Sequence, residues 1–123
     1  MYVKHTNQCL EITVGGHTQL RELLHHEHDM GVQIGFGLSW AKVAPGEEST
    51  LRKVLSGEVY YILSGKGRVY GAGLEYSVSE GSIIYFSSGE SQNLVNTGDM
   101  DLTFIVILDS AYSTDDAIVE PMD

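Results

Sequence analysis

Apolar and polar residues alternate most cleanly between Val32 and Trp40, where Val32, Ile34, Phe36, Leu38 and Trp40 are separated by Gln33, Gly35, Gly37 and Ser39. A period of two puts one set of side chains on one face, so this segment is expected to be a half-buried strand. Pro45 and Gly46 turn the chain, and Thr50 to Leu55 and Glu58 to Leu63 follow as two more strands, the second rich in β-branched and aromatic residues. Ser64 to Gly67 reads as a hairpin turn leading into Arg68 to Tyr70. Leu74 to Val78, Ile83 to Phe86 and Gln92 to Val95 are short strands set off by Gly71 to Gly73, by Glu80 to Ser82 and by Gly89 to Ser91. The last strong strand is Leu102 to Leu108, with Leu102, Phe104, Val106 and Leu108 on one face.

Turn signals every eight to twelve residues, with no helical pattern after residue 31, point to an all-β antiparallel sandwich or barrel. The pattern around Leu20, Leu23 and Leu24 fits a short helix and an edge strand equally. With 123 residues and no internal repeat, one domain is expected, divided into an N-terminal arm (1–31), a barrel (32–109) and an acidic tail (110–123).

Composition narrows the partners. All seven Lys and Arg fall within residues 1–68 beside seven acids, whereas residues 69–123 carry ten acids and neither Lys nor Arg, so the second part holds the whole net charge of −10. Nucleic acid is not an expected partner, because neutralising phosphates takes a basic face. The longest apolar run, Phe104 to Leu108, is far shorter than a bilayer span, and Met1 to Gln8 has no apolar core of a signal peptide. A cytoplasmic protein without membrane contact is expected. Cys9 is the one cysteine, which excludes an intrachain disulfide and any site built from several thiolates.

From Pro45 onward the chain resembles the cupin superfamily. That family's first motif reads Gly, five residues, His, one, His, three or four, Glu, six, Gly, and Gly46, Glu58 and Gly65 fall in its register. Its second motif reads Gly, five residues, Pro, one, Gly, two, His, three, Asn, and Gly81, Gly89 and Asn96 match it. Over residues 32–109 the resemblance implies a double-stranded β-helix, the jelly-roll form of the sandwich. The departures fall at the chemistry: Arg52 and Val54 stand where the first motif has histidines, Ser87 replaces the proline, and Gln92 replaces the third histidine. In the family those histidines and the glutamate bind a divalent metal, and of the four positions only Glu58 keeps a strong ligand. A guanidinium brings a fixed positive charge and no lone pair, valine brings nothing, and a glutamine oxygen is weak. Neither a metal nor another cofactor is therefore expected.

Alternation puts Glu58, Tyr60 and Ile62 on one face, and the family register implies that this face, with Arg52 and Val54, lines the barrel. Arg52, Glu58, Tyr60 and Gln92 are thus the candidate ligand-binding residues, with Arg52 as the clamp for a small anionic metabolite. Three readings stay open: a binding module without catalysis, a metal-dependent cupin isomerase or dioxygenase that recruits metal through Glu58 and arm histidines, and a structural dimer whose barrel is plugged by an Arg52–Glu58 ion pair. No catalytic residue is assigned.

Every histidine precedes residue 29, and His25, His26 and His28 cluster around Glu27. In an extended segment His26 and His28 share one face, yet two ligands fall short of the four of an ordinary zinc site, and a solvated or interface segment is the simpler account. Arg21 to Leu24 resembles the arm that packs across a dimer partner in small cupins, so a homodimer is implied. Trp40, Val59 and Tyr61 are candidates for that interface or for the space between sheets.

Overall fold

Apolar runs broken by glycine turns fold into eleven antiparallel strands among the described residues, which are 1–49, 52–54, 56–109 and 118–121, the backbone alone for 52–54 and 118–121, in this computed structural model. The strands are β1 (Glu11–Val14), β2 (Thr18–Leu24), β3 (Phe36–Val43), β4 (Arg52–Val54), β5 (Glu58–Ser64) and β6 (Lys66–Gly71). They continue with β7 (Leu74–Ser79), β8 (Ile83–Phe86), β9 (Ser91–Asn96), β10 (Leu102–Asp109) and β11 (Ile118–Pro121). Six form one sheet in the order β1-β2-β3-β10-β5-β8, and five form the other in the order β11-β4-β9-β6-β7. The class is all-β, a two-sheet sandwich of the cupin kind.

The core is made by the inward members of each alternation. Val43, Ile62, Leu94, Leu102 and Phe104 are fully buried, joined by Ala41, Tyr60, Val69, Phe86 and Val106. Each large side chain so buried contributes about 1.5–3 kcal/mol. Register aligns them into rungs: Ala41, Phe104 and Ile62 lie opposite one another across β3, β10 and β5, as do Gly37, Leu108 and Glu58 farther along.

Two expectations need correction, and two readings left open are decided. The strand read from Val32 begins at Phe36, and its buried positions are Gly37, Ala41 and Val43, while Phe36, Leu38 and Trp40 lie on the outer face. Both faces of β3 carry apolar residues, so periodicity alone could not choose between them. Gly65 does not close a hairpin: β5 pairs with β10 and β8, whereas β6 pairs with β7 and β9, so the chain crosses from one sheet to the other there. Its φ is +90°, and a Cβ would stand 2.7 Å from the Asp101 carbonyl oxygen, a corner open only to glycine. The segment around Leu20 is strand, not helix, and pairs with β1 and β3. Finally, residues 25–29 form a turn rather than an extended run, with the His28 and Asp29 amides donating to the His25 carbonyl.

Candidate functional site

Glu58 opens β5 and Gln92 is the second residue of β9, so the two sit on facing sheets although 34 positions apart. Both point inward by alternation and are buried, at 2% and 3% exposure. The Gln92 Nε2 donates to Glu58 Oε1 over 2.5 Å. A buried carboxylate needs such donors, because desolvation otherwise costs it several kcal/mol, of the order of a lost charged hydrogen bond or more.

Tyr60 lies one inward position farther along β5, also buried, with its ring edge-on to Phe86 (centroids 5.1 Å apart) and tilted against Phe104 (4.8 Å). Phe86 and Phe104 thus pack on Tyr60 in the core, with Phe86 opposite Glu58 in the β5–β8 ladder. Sequence reasoning missed both, since an aromatic in a short apolar strand carries no signal beyond core. Arg52 stands opposite Gln92 in the β4–β9 ladder, one strand away. The side chains of Arg52 and Val54 lie outside the described residues, as does the tail at 110–117.

One further buried group borders this end of the sandwich and another lies at its opposite end. Ser56, two residues before Glu58, is 6% exposed, and its Oγ has no hydrogen-bond partner. Asn96, the asparagine of the second motif, ties the backbone together: its Nδ2 donates to the Val43 and Met100 carbonyls, and its Oδ1 accepts from the Gly98 amide.

The clustered histidines lie in the turn after β2. His25 is buried and stacks on both His26 and His28, with ring centroids 4.9 and 5.0 Å away. Its ring packs over Gly37, on the rung that Leu108 and Glu58 share, where a Cβ would stand 3.6 Å from it. His25 Nδ1 accepts from the Glu27 amide, and His28 Nδ1 lies 2.5 Å from Glu22 Oε1, whose hydrogen bond raises the His28 pKa. Asp29, 6% exposed, is bonded by Lys4 Nζ (2.5 Å), the His25 amide (2.8 Å) and the Tyr2 hydroxyl (3.0 Å). Burial pushes its carboxyl up, but these three donors outweigh burial and hold it below the ordinary value. Among the described residues, no three His, Cys, Asp or Glu side chains are grouped to hold a metal ion. Among them, too, no helix is long and apolar enough to cross a membrane.

With this geometry established, comparisons place the chain among known proteins. The family model described as cupin domain matches residues 39–108, more than half of the chain. The oxalate-binding protein of Thermotoga maritima is 35% identical over 68 residues, 54% of this chain, and the match spans 56% of that relative's length. A crystal structure of a predicted oxalate decarboxylase from Thermotoga maritima superposes with a TM-score of 0.76 at 24% identity, over 89% of this chain and 99% of the other. A cupin 2 conserved barrel domain protein from Salinispora arenicola gives 0.78 at 19% identity, over 90% of both chains. At these identities the two solved structures speak for the fold.

Proposed function

Because this chain belongs to the cupin domain family, we propose that it binds a small carboxylate anion inside its barrel without transforming it, and that oxalate is the first ligand to test. The observation that carries the reading is the buried Glu58–Gln92 pair, with Arg52 opposite Gln92 in the neighbouring strand. The similarity to a protein named for oxalate binding supports the choice of anion. Glu58 alone would repel such a ligand. The Arg52 guanidinium supplies the compensating charge and a two-toothed fit to a carboxylate, Gln92 turns its amide toward the same space, and Tyr60 with its aromatic neighbours forms the wall.

The donor set does not suit the divalent metal common in the family. One carboxylate remains, already engaged by the Gln92 amide, beside an arginine, a valine and a glutamine. No step of the proposed function passes through a metal, and no bond is made or broken.

The test is thermal and calorimetric titration of the purified protein with oxalate. At about 100 times its dissociation constant a ligand stabilises the native state by roughly 2.7 kcal/mol, a rise of several degrees in Tm. Arg52→Ala is expected to lose that rise. No rise in the wild type for oxalate or for related carboxylates would favour the plugged barrel, and release of carbon dioxide from oxalate would favour the enzyme reading.

The working unit is read as a homodimer formed through the outer face of the six-stranded sheet. Trp40, Ile105, Tyr61 and Ile83 lie opposite one another across β3, β10, β5 and β8, and Leu38, Ile107, Val59 and Tyr85 form the next rung. Ile83 and Tyr85 are 72% and 69% exposed. Four strands about 4.8 Å apart, over two rungs about 6.8 Å apart, make an apolar face of roughly 260 Å². An interface centred on it reaches the ~800 Å² per partner of a stable complex together with the surface around it. The occupant is a second copy: the two apolar rungs are their own complement, and elsewhere a chain of net charge −10 repels its like.

A further inference from the structure

Ser56 sits at the same end of the barrel as Glu58 and is nine-tenths buried, yet its hydroxyl has no hydrogen-bond partner. Its surroundings follow from its neighbour. A Cβ built on Gly57 would point at the Tyr85 ring (3.5 Å) and the Asp109 Cβ (3.7 Å). Tyr85 and Asp109 belong to the outer face, opposite in register to Val59 and Phe36. Gly57 is tied to the six-stranded sheet by its carbonyl, which accepts from the Asp109 amide. Glu58, which follows it, is inward and buried, and Ser56, which precedes it at a bend, is buried as well. A buried hydroxyl without a partner costs about 1–3 kcal/mol, and folded proteins keep few of them except where a bound molecule completes the bond.

We propose that Ser56 is a ligand-contacting residue of the barrel site, its Oγ–H donating to a carboxylate oxygen of the small anion. The assignment rests on the anion-binding reading above and adds a residue to it. A hydroxyl suits this role because it is neutral, so it adds no repulsion toward Glu58, and because its hydrogen rotates to meet an acceptor that arrives from outside. Arg52 then supplies the charge, and Ser56 and Gln92 supply the orientation. Donors on Arg52, Ser56 and Gln92 together match an oxygen-rich ligand with acceptors at both ends, a dicarboxylate rather than an apolar acid.

Ser56→Ala separates a ligand contact from a structural role, because the two move free-protein stability in opposite directions. Removing a hydroxyl that lacks a partner relieves the free protein, so its Tm is expected to hold or rise. Oxalate affinity by calorimetry is expected to fall about tenfold, the effect of losing one donor to a charged acceptor. Ser56→Thr, which keeps the hydroxyl, is expected to retain more affinity than the alanine. Unchanged affinity in Ser56→Ala while the wild type binds oxalate would overturn the assignment and leave the binding reading intact. A fall in free-protein Tm would equally overturn it, by showing a structural bond. A wild type that ignores oxalate and other small dicarboxylates removes the binding reading and with it this role.

Discussion

At the scale of single residues, the barrel site depends on how one buried carboxylate is answered. Glu58 has Gln92 as a donor, and a leucine of similar volume at position 92 would leave that oxygen without it. Gln92→Leu is expected to lower stability by roughly 1–3 kcal/mol in urea unfolding, with Glu58→Gln in the same chain recovering part of the loss by removing the charge. An unchanged midpoint for the single variant would mean that Glu58 does not rely on this donor. Much of this is legible in the sequence: motif spacing and alternation place Glu58, Tyr60 and Gln92 on inward positions, and all three are buried. Ser56 is not legible there, because a serine near a strand end is the ordinary content of a turn, and only three-dimensional packing removes its water.

At the scale of elements, the N-terminal segment is secured by a side-chain network rather than by a ladder. Tyr2 and Lys4 both bond Asp29 at the end of the histidine turn, and His25 is buried beneath it against Gly37. The folded carboxyl lies below its ordinary value, so its contribution to stability is present above the ordinary carboxylate range and is lost as pH falls through the depressed value. Amide exchange at Gln8 and Cys9, taken relative to the intrinsic rate at each pH, is expected to stay slow at neutral pH and to speed up only in strong acid. In Asp29→Asn it is expected to be fast already at neutral pH. Slow exchange in that variant would show that the network is incidental. The sequence leaves the segment around Leu20 open between helix and strand, and the choice of strand comes from partners: β2 is bonded on both sides, by β1 and β3.

At the scale of the whole molecule, charge and apolar surface are segregated. The −10 charge drives like molecules apart, and the outer sheet face is the place where the proposed dimer has them meet. The wild type is expected to sediment at twice the chain mass, and the dimer to tighten as salt rises from about 0.02 M to 0.2 M and screens that repulsion. Ile83→Glu with Tyr85→Glu, both on the edge strand β8, is expected to give a folded monomer. Leu74→Glu with Tyr76→Glu, equally exposed on the other sheet, leaves the dimer intact. A dimer that survives the first pair would move the interface elsewhere, and a monomeric wild type would end the homodimer reading. The amino-acid order by itself determined the all-β class, the glycine turns and the lopsided charge, because strand period, turn chemistry and net charge are local or additive properties, while the inward phase of β5 was implied by the motif register. Only tertiary packing decided which face of β3 meets the other sheet, that Gly65 joins sheets rather than closing a hairpin, that Glu58 finds Gln92 across 34 residues, and that Ser56 is buried. Those outcomes depend on what each segment packs against, and a pattern that is apolar on both faces does not say which of them is covered.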